Sequence, residues 1–338
     1  TKSVQASADG YVALPMTTTS TDFYVASYTP FGSSPSTFAI AALEDNTCIE
    51  VYYRNGSEGY RTAFMSLNAF EVYNGMSETV DFTGFQVKST KPVSVISGHM
   101  CGQVPAGILF CDHMAAQMPP VDEWGTEFIV PGIRGRLNTA GYFYRVLASV
   151  DDTIVKQDNV QVATISRGAE YYEGFVEFTF DNIVVTCSNP CLVVQYNVGY
   201  LYEKGSQASD SEELKRTDPD MMLIPSTNNY LTTLRFGTSN FIADETIKEF
   251  ENHLAIVVPT PSKGVVTMNL QYLPVSTVWT DLANGYSVCN FQINHGLYNL
   301  RTDTGNVKMM AFVYGHGLTH ITAYGYPAGF KSIDVVLS

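Results

Sequence analysis

Charge is scarce in this chain. Only 15% of its 338 residues are Asp, Glu, Lys or Arg, and 19 basic residues stand against 33 acidic ones, a formal net charge of −14. That sign repels a phosphate backbone, and no basic patch with interleaved aromatics offsets it, so nucleic acid is excluded as a partner. No run of roughly eighteen apolar residues exists to span a bilayer. No apolar segment with a positive flank and a small-residue cleavage site opens the chain. It starts at Thr1, as a processed protein or an excised fragment would, so a missing leader does not argue for the cytosol.

Catalytic signatures are missing as well. There is no G-x-S-x-G elbow and no alternation of strands with helices to present one. No Gly-rich loop opens a helix to cradle phosphate, no carboxylate pair stands out for acid–base work, and no cysteine has a general-base partner. The expectation is a protein without catalytic residues, cofactor or metal.

What the chain does have is repetition. Pro15, Pro120 and Pro225 lie 105 positions apart, and each leads into an apolar strand: Asp22-Phe23-Tyr24-Val25-Ala26, Glu127-Phe128-Ile129-Val130 and Tyr230-Leu231-Thr232-Thr233-Leu234. After each comes a pair of strands around a polar turn, at Glu44-Asp45-Asn46-Thr47, Ser149-Val150-Asp151-Asp152-Thr153 and Thr260-Pro261-Ser262-Lys263-Gly264. Each copy closes on a strand running out into Gly98, Gly199 or Gly315. A fixed period of this kind marks a repeated supersecondary unit. With 21 Tyr and 19 Phe, side chains that suit a pleated half-buried surface, the unit reads as β-structure. The predicted fold is all-β: three tandem β-sandwich modules packed together, with few or no helices, over residues 1–113, 114–218 and 219–338. The stretch 203–220, in which 206–213 is too polar to bury, reads as an exposed linker or loop between the second and third modules, and residues 240–252 as a short helix inserted in the third.

Six cysteines bear on the compartment. Cys187 and Cys191 flank Ser188-Asn189-Pro190, turn formers that fold the chain back and bring two thiols together. Cys101 and Cys111 enclose another turn-rich loop. Cys48 and Cys289 remain: either they bridge the outer repeats, or each is an apolar core residue. An even count with two close pairs points to an oxidising, extracellular setting, and the glycosylation triplet Asn55-Gly56-Ser57 agrees.

The cysteine loop also contains the most specific constellation, His99-Met100-Cys101 mirrored by Cys111-Asp112-His113. Two imidazoles and two thiolates would suffice for tetrahedral zinc. Against that, a single intervening residue in a strand sends His and Cys to opposite faces, and a disulfide is the stronger reading. Asp45, Asp151 and Asp152 could suggest calcium, but Asp-Asn-Thr and Asp-Asp-Thr are turn formers that satisfy their own backbone. Trp124 is one of two tryptophans and is either a binding anchor or strand packing.

Residues 91–101 with the P-V-x-V-x-S-G-H-x-C pattern, Cys111-Asp112-His113 followed by Gln117 and Pro120, and the W-G-x-x-F-x-V-P block from Trp124 to Pro131 resemble the N-terminal domain of IgGFc-binding proteins. The strand and turn from Phe38 to Thr47 match as well. The resemblance implies a secreted domain found ahead of von Willebrand-type repeats, part of a larger multidomain protein, with no catalytic residues to carry over. It gives His99, Cys101, Cys111 and His113 the role of a disulfide-stabilised structural loop. The expected function is therefore binding of an extracellular protein or glycoprotein in mucus, matrix or adhesive material, through loops at residues 98–120 and the Gly199 and Gly315 ends, with Trp124, His99 and His113 as candidate contacts. The alternatives are a carbohydrate-binding or adhesion module, suggested by tyrosines such as Tyr52, Tyr53, Tyr60 and Tyr73, and an enzyme with a pocket between modules lined by His113, His253 or His316.

Overall fold

The computed structural model describes residues 9–14, 20–54, 59–137, 139–168, 170–204, 217–238, 250–303, 305–317 and 322–331. Pro15, the triplet at Asn55 and the polar segment 206–213 lie outside them. The first strands are β1 (Asp22–Tyr24), β2 (Ser36–Ala42), β3 (Thr47–Arg54), β4 (Tyr60–Leu67), β5 (Val72–Ser77), β6 (Gln86–Ser89), β7 (Val93–Gly102) and β8 (Asp112–Gln117). They pair as two four-stranded sheets, β1-β6-β3-β4 and β5-β2-β7-β8. Alternation explains why the sheets face each other. In β2, Phe38, Ile40 and Ala42 point inward, and Phe38 and Ile40 share one core with Ile49, Val51 and Val87 of the other sheet.

The middle strands are β9 (Gly125–Val130), β10 (Tyr142–Ala148), β11 (Thr153–Gln157), β12 (Val160–Ile165), β13 (Tyr171–Val176), β14 (Ile183–Asn197) and β15 (Asp220–Ile224). The last are β16 (Thr233–Gly237), β17 (Phe250–Pro259), β18 (Val266–Met268), β19 (Gln271–Tyr272), β20 (Trp279–Asp281), β21 (Tyr286–Ile293), β22 (Leu297–Thr302), β23 (Met310–Gly317) and β24 (Ala323–Pro327). These last strands form sheets β16-β22-β18-β19 and β20-β21-β17-β23-β24, the opening pairing order with β20 added at one edge. The molecule is nearly all-β: its helical pieces among the described residues are α1 (Tyr200–Lys204) and short 3-10 turns such as Val121–Glu123 and Thr227–Asn229, which follow Pro120 and Pro225. The helix expected over 240–252 is corrected where it can be seen, because Phe250, Glu251 and Asn252 already belong to strand β17.

The middle strands depart from two separate sheets. They form a single seven-stranded sheet in which β9 and β11 pair with the first half of β14, while β10 and β15 pair with the second. Cys187 and Cys191 lie inside that one strand, so they do not join two strands across a turn. Four extended residues would span about 13 Å, whereas the Cys187 and Cys191 Cα atoms are 6.5 Å apart and bridged. The intervening residues bulge out where the register shifts between Thr186 and Cys191, and β14 passes there from one half of the sheet to the other.

The three hydrophobic cores do not follow the three stretches of strands. The first takes in Leu192, Val194, Tyr196 and Leu223 from the middle strands; the second takes in Ala255, Val257 and Phe312 from the last. Buried polar bonds reinforce these joints. Arg145 of β10 donates to Asp81 Oδ2 and Thr83 Oγ1 at 2.8 Å, to Ser27 O at 3.0 Å and to Glu173 Oε2 at 2.8 Å. The rings of Tyr28 and Tyr171 lie against its guanidinium at 4.4 and 4.5 Å. Asp112 at the start of β8 accepts from Thr322 and Ala323 beside β24, so the first and last strands also meet. At the centre, Arg136 donates to Val198 O, Asp218 O and Asp220 Oδ2, and Asp9 accepts from Ala115 N–H.

Candidate recognition surface

Strands β7 and β8 form the frame of the loop from Cys101 to Cys111. Gly98 permits them to approach: a Cβ there would lie 1.8 Å from the Met114 carbonyl oxygen. The ladder is regular through His99↔Met114, bulges, and resumes at Gly102↔Asp112. Beyond it the two sulfurs are bonded at 1.98 Å, so neither is available as a thiolate for zinc. Among the described residues, no three His, Cys, Asp or Glu side chains are grouped to hold a metal ion.

The loop is held at several points. Gln103 Oε1 accepts from Gly107 N–H at 3.0 Å, and Ser34 Oγ donates to Cys101 O at 2.7 Å. Val104 is buried, and its carbonyl accepts from Gly199 N–H at 2.9 Å, which ties the loop to the end of β14. Phe110 takes a left-handed φ of 70° and sits 6.2 Å, edge to face, from Tyr200 of α1. On this frame the large apolar side chains point outward: Met100 is 57% exposed, Leu109 68% and Phe110 40%. Phe31 is exposed beside them, close enough that a side chain at Gly107 would touch its ring.

The residues singled out from sequence are distributed differently. Trp124 is only 7% exposed. Its ring packs 5.5 Å from Tyr24 and its indole N–H donates to Pro119 O at 3.2 Å. It presents no face to a partner and is corrected to a packing residue. His99 is 1% exposed; its Nδ1 accepts from Cys101 N–H, and burial lowers its pKa to about 4, so it is a neutral support of the loop rather than a contact. His113 alone of the three is exposed, with Nδ1 3.4 Å from Met100 O. The bridge between Cys48 and Cys289 is not formed. Cys48 is exposed on β3, and Cys289 lies in the third core, where burial raises its thiol pKa to about 12.

His253 and His316, suggested as pocket residues, are buried. His253 Nε2 is 2.8 Å from Glu251 Oε1, and His316 Nε2 is 2.8 Å from the Arg134 carbonyl. They brace the segment after β9 against β17 and β23. The Asp-Asn-Thr and Asp-Asp-Thr segments behave as turns: Asn46 and Asp152 each take a φ of 55°, and Thr47 and Thr153 each donate to the carbonyl three residues back at 2.7 Å. Sequence reading missed Leu109 and Phe110. The available signal was an apolar pair inside a turn-rich loop closed by two cysteines, where the fold offers no core to receive it.

The family model described as IgGFc binding protein matches residues 9–315, and the chain belongs to that family. The human IgGFc-binding protein is 38% identical over 56 residues, 17% of this chain and 1% of that relative; the matched stretch is thus a small part of the relative's length. Among solved structures, a Bifidobacterium dentium beta-glucuronidase complexed with coumarin-3-O-glucuronide aligns over 92% of this chain and 51% of its own, at 9% identity and a TM-score of 0.16, a likeness too slight to bear on fold or activity.

Proposed function

We propose that this chain is a secreted protein-binding domain whose recognition surface is the disulfide-closed loop 101–111 with Met100 and Phe31 beside it. The family supports a protein partner, since its members are named for binding one. The observation that carries the reading is the exposure of Met100, Leu109 and Phe110 on a loop held by Cys101–Cys111 and Val104. Large apolar side chains grouped on a surface mark interaction sites, and a loop already fixed loses little entropy on binding. Two disulfides fit an oxidising, extracellular setting. The partner is an extracellular protein or glycoprotein of mucus, matrix or adhesive material, and the chain acts as part of a larger protein. The pairing order shared by the first and last strands favours a repeated unit at each end of the chain, 1–113 and 219–338 with 114–218 between them, although β15 at the start of the last stretch completes the middle sheet.

The test uses the Fc fragment of immunoglobulin G as first probe, with a panel of secreted glycoproteins beside it, in surface plasmon resonance. Leu109→Asp and Phe110→Ser are expected to weaken capture by at least about tenfold each, with unchanged melting. Equal capture by native and variant chains, or no capture of any protein, would contradict the reading.

A further inference from the structure

A second surface faces away from the disulfide loop's chemistry. Strands β1, β6 and β3 set residues opposite one another in two rungs on the outer face of their sheet: Tyr24, Gln86 and Tyr52 in one, Asp22, Lys88 and Glu50 in the next. Neighbouring strands are about 4.8 Å apart, so each rung is a short row of alternating chemical character. Gln86 Nε2 donates to Asp22 Oδ1 at 2.7 Å, Lys88 Nζ lies 5.6 Å from the centre of the Tyr52 ring, and Tyr52 donates its hydroxyl to Glu50. Tyr24 is braced from behind by Trp124, which gives that buried indole a purpose.

This face is not open sheet. The turn residues Asp151, Arg167 and Gly168 of the middle strands line with it a half-open cleft of about 410 Å³. Arg167 is held there by Asp151, with its N–H 3.1 Å from Oδ1 and its Nε 3.5 Å from Oδ2. A cleft of this size takes a small ligand or a few linked rings rather than the side of a protein. The charged groups that line it are Lys88, Arg167 and Asp151, and Asp22 and Glu50 flank Lys88 in its rung just outside the lining; together they leave no net positive charge to attract an anion. Carboxylates that accept stand beside an ammonium, a guanidinium and an amide that donate. The ligand that matches donors and acceptors interleaved at this spacing, next to an aromatic face, carries several hydroxyls that each do both and presents an apolar C–H face to a ring.

We infer that the cleft between the β1-β6-β3 face and residues Asp151, Arg167 and Gly168 binds an uncharged oligosaccharide. Tyr52 supplies the stacking face; Gln86 and Lys88 donate to sugar hydroxyls, and Asp151 accepts from them, while Asp22 and Glu50 hold Gln86 and Tyr52 in place from beside the cleft. The site is separate from the protein-binding loop and does not depend on it.

The experiment is binding of the whole chain to immobilised neutral oligosaccharides (mannose-, galactose-, glucose- and N-acetylglucosamine-based), with sialyllactose and heparin as acidic comparators. At least one neutral glycan is expected to be retained above both acidic ones. Tyr52→Ala and Lys88→Gln, both on the sheet's outer face, are expected to weaken that binding roughly tenfold, which corresponds to ~1.4 kcal/mol, while Leu109→Asp leaves it unchanged. A melting curve confirms that each variant is folded. The inference is overturned by retention of no neutral glycan, by preference for the acidic ones, or by undiminished binding in folded Tyr52→Ala.

Discussion

Asp218 shows how a single residue sets a property of the whole fold. It lies buried beside Asp112, Arg136 and Asp220, and its Oδ1 makes no hydrogen bond. Burial raises its pKa to about 9, with the nearby carboxylate of Asp112 adding to the effect and the Arg136 guanidinium opposing it. Burial also pushes up the carboxyls of Asp9 and Asp220. Below the ordinary carboxylate range Asp218 is protonated whether folded or not; above it the unfolded chain releases a proton that the folded chain keeps. Stability therefore falls as pH rises towards 9, by up to about 1.4 kcal/mol per unit for this group. Asp218→Asn removes the dependence. It is expected to raise the urea midpoint clearly at about pH 8 and hardly at about pH 3, and an equal effect at both would contradict the assignment.

At the scale of elements, Gly98 is the position with least freedom. An added methyl would overlap the Met114 backbone, which cannot move as a side-chain tip would, so β7 and β8 must part. Gly98→Ala is expected to cost about 1–3 kcal/mol, as overpacking does, and to speed reduction of the Cys101–Cys111 bridge by mild thiol; an unchanged melting temperature and reduction rate would refute this. The same elements show what was legible beforehand. The Glu44–Thr47 and Val150–Thr153 turns could be read because their bonds are local, each Thr reaching back three residues. The alternation in β2 could be read because a two-residue period fixes which side chains face inward. The course of β14 could not. Pro190 and Asn189 signal a turn whether the chain reverses or only bulges, and pairing with β9 and β10 on either side of the bulge decides between them. For Trp124, sequence leaves burial open, and the neighbour that settles it, Tyr24, is far away in the chain. Leu109 and Phe110 were hidden for the opposite reason, since apolar residues are expected to find a core.

At the scale of the molecule, the strands are joined into one body by bonds that no local pattern announces. Arg145 is the strongest of these. Burial disfavours its charge, but Asp81 and the surrounding tyrosines and Glu173 raise its pKa overall, while Arg145 in turn holds the Asp81 carboxyl below its usual value against the effect of burial. Arg145→Met leaves Asp81 facing Tyr28 and Tyr171 with no counter-charge. It is expected to cost ~3–5 kcal/mol in urea unfolding, the range for breaking one side of a buried ion pair, and a loss below about 1 kcal/mol would place Arg145 among surface pairs instead. A rigid body joined in this way can hold the loop between Cys101 and Cys111 outward with its apolar side chains in solvent, which a loop on an isolated, mobile sheet could not do at the same entropic cost.

Hydrogen–deuterium exchange of the chain, alone and bound to a captured protein partner, tests that account most directly. Slower exchange on binding is predicted at residues 100–111 and around Phe31, with the outer face of β3 and β6 unchanged. Protection confined to other segments, leaving residues 100–111 as exchangeable as in the free chain, would contradict it.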